Sequence, residues 1–435
     1  MLRRLLLLVL MFPLAALAQG DADGKSVENA LKTAQSRHEP VLADFHAPWC
    51  YSCYFMATHV LNGPEWEQVE RDTVVVDLDA DSPEGARWMK QWNVKALPAY
   101  IVLDEHGEEL GRILAEQTRV DFYRELGAIT AHGVTLAALQ ARVEVGGMPA
   151  IIAAREVLKT YYARRDASGA LAWYAGLPGG AGNMVESDPQ AQFWLDRLRL
   201  LQASAVRNTT ECMQVGESVL NSPLDCERPY DLDTVMDCAA RLPQAQQSKF
   251  FAAQRPALDK LVNKGAFGTP RCADQRSIVL TAADLDHALG DKVAEQKVLD
   301  RAITDTQKKI GGNLRKDRNL SDNLRVYLER AGRTPELDAL LVKLIATYPD
   351  DYVYSYRLGK SLLAHGKADV ALPYLEQAAG KAYGENRLVV ATYRVQALKQ
   401  LKRDDDARRV VAQTLKANGP WFPQEAATLK ALVTS

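Results

Sequence analysis

The chain has 435 residues, 53 basic and 55 acidic side chains, a formal net charge of −2 and six cysteines. At about 100–200 residues per domain this is more than one small unit, and 47% hydrophobic with 25% charged residues excludes a disordered, collagenous or multi-span membrane chain. The balanced charge argues against a general nucleic-acid binder, which needs a basic excess, and the cysteines are too few for a disulfide-dense miniature scaffold.

The start, Met1-Leu2-Arg3-Arg4, is basic, residues 5–14 are an apolar run interrupted by Pro13, and Ala16-Leu17-Ala18 fits the small-x-small cleavage pattern. This reads as a signal peptide over 1–18; as a membrane anchor its apolar run falls well short of the roughly 20 residues a span needs. No later run has the length and hydropathy of a span, so the mature chain is expected to be exported without one, into a compartment where cysteines oxidise. Helical spacing over 26–37 precedes a short apolar strand at 41–46. A helix from Cys50 to about residue 61, a β-branched strand at 74–78 and a helix over 83–92 follow. Pro98 introduces a strand at 99–104, a turn at 105–108 leads into a strand at 110–114, and a helix over 118–131 closes the unit. A mixed central sheet covered by helices on both faces is expected over 19–133.

Within that frame Trp49-Cys50-Tyr51-Ser52-Cys53 carries the chemistry. Two cysteines three positions apart at a strand-to-helix junction can close a small disulfide, and unpaired N–H groups at the helix start favour an anion on the first. Cys50 is therefore the expected attacking thiolate and Cys53 the buried resolving thiol. A zinc site would need a second ligand pair, and none has the spacing. Calcium at Asp77-Leu78-Asp79-Ala80-Asp81 is disfavoured by Ser82 and Trp88, where an EF-hand needs glycine and glutamate. Those acids read as a solvated strand end, and neither metal nor cofactor is expected.

Residues 26–130 resemble a thioredoxin-fold domain: the segment from Asp44 to Cys53 is similar to that family's active-site stretch, and Ala96-Leu97-Pro98-Ala99 to its cis-proline loop. The insert Val60-Leu61-Asn62-Gly63-Pro64-Glu65-Trp66 and the run from Trp92 to Pro98 most resemble the C-terminal periplasmic domain of DsbD-type thiol:disulfide interchange reductases. The resemblance implies that Asp44 relays a proton to or from Cys53, with a strand-end cap as the alternative role. It also implies a cis Pro98 opposite the cysteines, a Leu97 backbone that pairs with extended substrate, and a Trp49 that covers one side of the disulfide. Three departures stand out: His46 replaces the usual aromatic, Tyr51-Ser52 replaces Gly-Pro, and Tyr54-Phe55 follows Cys53. His46 reads as packed or solvated, with pH-sensitive tuning as the sharper alternative. The departures leave the reduction potential open.

From about Thr135 onward apolar residues recur at helical spacing, with breaks at 176–182, 221–223, 268–270 and 311–312. Gly179, Gly180 and Gly182 follow no strand and read as a flexible connection rather than a phosphate loop. Leu324, Leu328, Gly332, Leu337, Leu341, Leu344 and Pro349 recur 34 residues later as Leu358, Leu362, Gly366, Ala371, Leu375, Ala378 and Tyr383, and only the final position loses its type. That period resembles the tetratricopeptide repeat, with a looser third copy through Leu398 and Ala407. An all-helical region over 134–316 and a repeat solenoid over 317–435 are expected, either binding partners or only supporting the redox unit. Cys212 and Cys238 are expected at one height on an antiparallel helix pair, and Cys226 and Cys272 in loops at one end of the next. Cys212–Cys238 and Cys226–Cys272 are thus the preferred structural disulfides among three connectivities.

Charge is uneven: residues 21–132 carry 20 acidic and 10 basic side chains, residues 133–435 carry 35 and 41. The halves are therefore either separately solvated or docked electrostatically. The expected activity is that of a periplasmic protein-disulfide oxidoreductase, reducing or isomerising disulfides of exported proteins. Its repeats would recruit substrate or redox partner, and it would exchange electrons with a separate membrane thiol-disulfide relay. The alternative is a non-enzymatic, repeat-based binding or assembly factor with a docking domain of this fold. Redox direction is not legible, since reductant, isomerase and oxidant share this constellation and differ in potential, where about 30 mV corresponds to about 1.4 kcal/mol.

Overall fold

The computed structural model describes residues 26–434 except Pro270; the expected signal segment at 1–18 lies outside the described residues. The N-terminal unit is built from α1 (Val27–Arg37), β1 (Val41–His46), α2 (Tyr51–His59), α3 (Gly63–Asp72), β2 (Val74–Asp79), α4 (Pro83–Gln91), β3 (Ala99–Leu103), β4 (Glu109–Leu114) and α5 (Arg119–His132). Its strands lie in the order β2-β1-β3-β4, with β1 and β2 parallel and the other pairs antiparallel. Strand alternation sorts the core. Val41, Ala43 and Phe45 bury one face with Ala30 and Ala34 of α1 and Trp88 of α4, while Leu42 packs with Met56 of α2, Tyr100 and Phe122 of α5 on the other. Alternation puts Asp44 on that second face, beneath the helix that Cys50 begins.

One helix was not expected. The insert continues as α3, because Pro64 stands in the first turn, where its missing N–H costs nothing, and Glu65 beside it suits the helix N-terminus. Its Trp66 and Val69 pack against the α2 and α5 side of the core.

All the remaining described elements are helical, from Leu136–Val145 to Pro423–Thr434. The glycine-rich stretch is not a flexible connection: Gly179–Ser187 is a helix. The Pro178 carbonyl accepts from Ala181 and Gly182 at its start, and Val185 anchors it in the core beside Leu158 and Leu195. Tertiary burial outweighs about 1 kcal/mol of helix propensity lost per glycine.

The last hundred residues stack as helix pairs Arg318–Arg330 with Thr334–Thr347, Val353–Ala364 with Ala368–Ala379, and Gly384–Gln400 with Asp404–Asn418. Gly332 (φ +67°) and Gly366 (φ +73°) turn the chain within the first two pairs, and Lys402 (φ 58°) takes a similar left-handed position in the third. Gly359 is small for a packing reason: a Cβ there would lie 2.6 Å from Leu375. Upstream, Cys212 in helix Thr209–Leu220 is bonded to Cys238 in helix Arg228–Ala239, with Cα atoms 6.3 Å apart. That second helix starts at Arg228. Cys226 is bonded to Cys272 at a Cα separation of 5.6 Å.

The acidic front and basic back meet directly. Helix Met148–Ala163 packs beside the edge strand β4 and covers it. Glu109 of β4 pairs with Arg164 at 2.9 Å, Glu125 of α5 with Lys159 at 2.6 Å, and the Asn93 amide donates to the Arg164 carbonyl at 3.0 Å. Burial alone would raise the Glu109 carboxyl, but hydrogen bonds and charge from Arg112 and Arg164 hold it below its usual range. Farther along, helix Arg318–Arg330 packs on α2 itself. The helical array therefore wraps onto the end of the sheet that carries the cysteines.

Candidate active site at the start of α2

Cys50 caps α2. Its backbone is extended (φ −85°, ψ 96°) and its sulfur accepts from the Cys53 N–H at 3.1 Å. The cap is the place on a helix where donors are free and the dipole favours negative charge, so the same contact that closes the turn stabilises a thiolate when the bond is reduced. Cys50 and Cys53 are disulfide-bonded with Cα atoms 5.2 Å apart. Both are buried, in one small cluster with Ala47, Ala80, Met89 and Leu97. The Leu97–Pro98 peptide is cis. His46 ends β1 opposite Asp79, and its carbonyl accepts from the Ala80 N–H at 2.8 Å.

Three buried carboxyls belong to the elements that carry this cluster or their neighbours. Asp44 is buried with one carboxyl oxygen unpartnered; burial, with the nearby Asp77 charge, pushes its pKa up to about 8. Glu116, just beyond β4, is also raised to about 8, by burial and by Asp274, against the opposing pull of Arg276, Ser52 and Asn319. Asp81 overturns the reading of a solvated strand end: it is only 4% exposed. Both its oxygens accept from the Trp49 indole N–H, at 3.0 and 3.1 Å, because the loop after β2 folds back over the start of α2. Burial raises it to about 7, the Trp49 bond pulls the other way, and Asp79 and Glu385 add to the rise.

The helical array supplies the other half of the surroundings. Asn319 donates to the Tyr51 carbonyl at 2.9 Å, Arg357 to the Trp49 carbonyl at 3.2 Å, and the Arg276 guanidinium lies 3.3 Å from the centre of the Tyr51 ring. Arg318 stands over Tyr54 at 4.1 Å. Arg276 is also 3.9 Å from Glu116, so a buried cation and a buried acid bracket the Tyr51-Ser52 dipeptide. Gly384 (φ +51°) lets the array touch the loop after β2, since a Cβ would stand 1.6 Å from the Asp81 carbonyl, and the Glu385 N–H donates to that carbonyl at 3.3 Å.

The structure thus brings Cys50, Cys53 and Leu97 into one cluster, with Trp49, Tyr51 and Ser52 flanking the cysteines in the chain, Pro98 cis after Leu97, Asp44 buried within β1 and His46 at that strand's end. Sequence reading missed Asp81, Glu116, Arg276, Asn319 and Arg357. The polar face of helix Arg318–Arg330, with Asn319, Asp322, Asn323 and Arg325 buried among its leucines, was the one available signal that this helix packs against something polar. Among the described residues no group of three metal-ligating side chains is placed to hold an ion. No described helix is long and apolar enough to cross a membrane.

Residues 27–129 match the family model of a thioredoxin-like domain. The chain carries a thioredoxin-like domain. It is similar to the thiol:disulfide interchange protein DsbD of Neisseria meningitidis serogroup A, 31% identical over 112 residues that are 24% of this chain and 18% of that protein. It is also similar to DsbD of Klebsiella pneumoniae, 28% identical over 101 residues, 23% of this chain and 16% of that protein. The chain spans about a sixth of the length of these curated relatives. A tetratricopeptide repeat protein from Parabacteroides merdae aligns with 65% of this chain and 96% of its own, at 12% identity and a TM-score of 0.39.

Proposed function

We propose that the chain is an exported, periplasmic thiol:disulfide oxidoreductase that reduces or isomerises protein disulfides. In the reduced state Cys50, as thiolate, attacks one sulfur of a substrate disulfide; the other substrate sulfur leaves as a thiol, and a mixed disulfide joins substrate to Cys50. Cys53, deprotonated with Asp44 as the proton acceptor, attacks the Cys50 sulfur, releases the second substrate thiol and closes the Cys50–Cys53 bond. Two electrons pass to the substrate, and the enzyme is reset by an external dithiol, which we assign to a separate membrane relay. The observation that carries this reading is the Cys50 sulfur held at the α2 cap by the Cys53 N–H. The DsbD similarity over the same residues supports it.

The helical array holds substrate or redox partner near Cys50 in this account, and its contacts with the Trp49 and Tyr51 carbonyls favour that role. We assign Cys212–Cys238 and Cys226–Cys272 a structural role. Reduction of a model protein disulfide by the dithiol-reduced protein tests the proposal: Cys50→Ser removes the activity. Retention of wild-type rates by Cys50→Ser would instead favour a binding factor in which the domain only docks.

A further inference from the structure

Beside the disulfide, the thioredoxin-like domain and the helical array enclose a cleft of about 290 Å³. That is below the range of whole small-molecule sites and suits one long side chain. Its walls are aromatic, from Trp49, Tyr352 and Tyr356, and its carboxyls come from Asp81 on one domain and Glu385 on the other. Tyr352 is 3% exposed and its hydroxyl has no hydrogen-bond partner. Among the described residues neither Asp81 nor Glu385 forms an ion pair. The one cation on the wall, Arg357, is already engaged with Asp322 and the Trp49 carbonyl. The acids behind the cleft add to the negative field: Asp79, which accepts from Tyr383, acts on Asp81, and Glu425 acts on Glu385.

An aromatic box with two carboxyls lacking a cation is complementary to an ammonium or guanidinium group, through ring faces and charge together. Trp49 immediately precedes Cys50, so an occupant of this cleft belongs to a residue close to the reacting cysteine of whatever is attached there. We propose that the cleft is a subsite for a basic side chain, Lys or Arg, flanking the substrate's cysteine. The site spans both domains, which gives the helical array a share in choosing the substrate. This rests on the exchange chemistry above: the peptide disulfide is reduced to two thiols while Cys50 and Cys53 are oxidised.

The test uses the dithiol-reduced full chain in single turnover with two disulfide-bonded peptides, identical except for Lys or Gln beside the cysteine. The Lys peptide is expected to react faster by about ten-fold at low salt. In Glu385→Gln the ratio falls to within about two-fold, and Tyr352→Phe lowers it partly. Because the ratio is taken within each variant, loss of folded protein cancels. Equal rates for the two peptides in the wild type, or a ratio untouched by both substitutions, would overturn the subsite and leave the exchange chemistry standing. Failure of the reduced wild type to reduce either peptide would overturn the exchange reading and the subsite with it.

Discussion

Asp44 and Asp322 are both buried acids, one in the thioredoxin-like domain and one in the helical array, and they are treated in opposite ways. Asp322 is fully buried between Arg325 and Arg357. Burial would raise its carboxyl, but the two guanidiniums hold it below the usual range. Each acid keeps one unpartnered oxygen, but Asp44 has no cation beside it and rises to about 8. Paired burial of this kind fixes geometry, whereas unpaired burial leaves a proton available near neutral pH at a cost to stability. On the proposed mechanism, the difference separates a part that holds shape from a part that handles protons.

Removing the pairing should do most damage. Asp322→Ala leaves Arg325 and Arg357 without their shared partner, and an unfolding titration should show a loss of about 3–5 kcal/mol. Gly384→Ala attacks the junction of the two regions. The added Cβ meets the Asp81 carbonyl, so the array must lift from the loop. A loss of about 1–3 kcal/mol is expected, with a change in Trp49 fluorescence.

Asp44→Asn tests the unpaired side through pH. The unfolded chain releases the Asp44 proton near the usual aspartate value of 3.8 and the folded chain near 8. Between those limits the folded state binds more protons. The stability linked to Asp44 is present below about pH 4 and is lost as pH rises to about 8, at up to about 1.4 kcal/mol per pH unit. Denaturant titrations across that window should show a shallower fall in Asp44→Asn, with Glu116 leaving a residual slope of the same sign. The smallest effect belongs to Glu125→Gln. Its partly exposed pair with Lys159 should cost about 0.2–1 kcal/mol, diminishing with salt.

Legibility in the sequence followed the same division. Cys50 and Cys53 lie within one local pattern, and their spacing placed them at a helix start, whereas Asp44 and Pro98 came to the site through the resemblance to the thioredoxin-fold family. The 34-residue recurrence of Leu324, Gly332 and Leu341 gave the helix pairs because each repeat packs against its neighbour. The helix Gly63–Asp72 was hidden by a Gly-Pro pair that reads as a break yet starts a helix. The helix Gly179–Ser187 was hidden by glycines whose cost only tertiary packing offsets. Arg276, Asn319 and Arg357 were beyond reach for another reason. Asn319 meets Tyr51 across 268 residues and Arg357 meets Trp49 across 308, and beyond the polar run in helix Arg318–Arg330 nothing local distinguishes such side chains from a solvated face.

The central claim is that Cys50 attacks substrate and Cys53 releases it. The most direct measurement is mass mapping of a Cys53→Ser variant expressed with its exported partners. The account predicts mixed disulfides through Cys50, absent from a Cys50→Ser, Cys53→Ser double variant. Recovery of Cys53→Ser with a free Cys50 thiol and no attached polypeptide would contradict it.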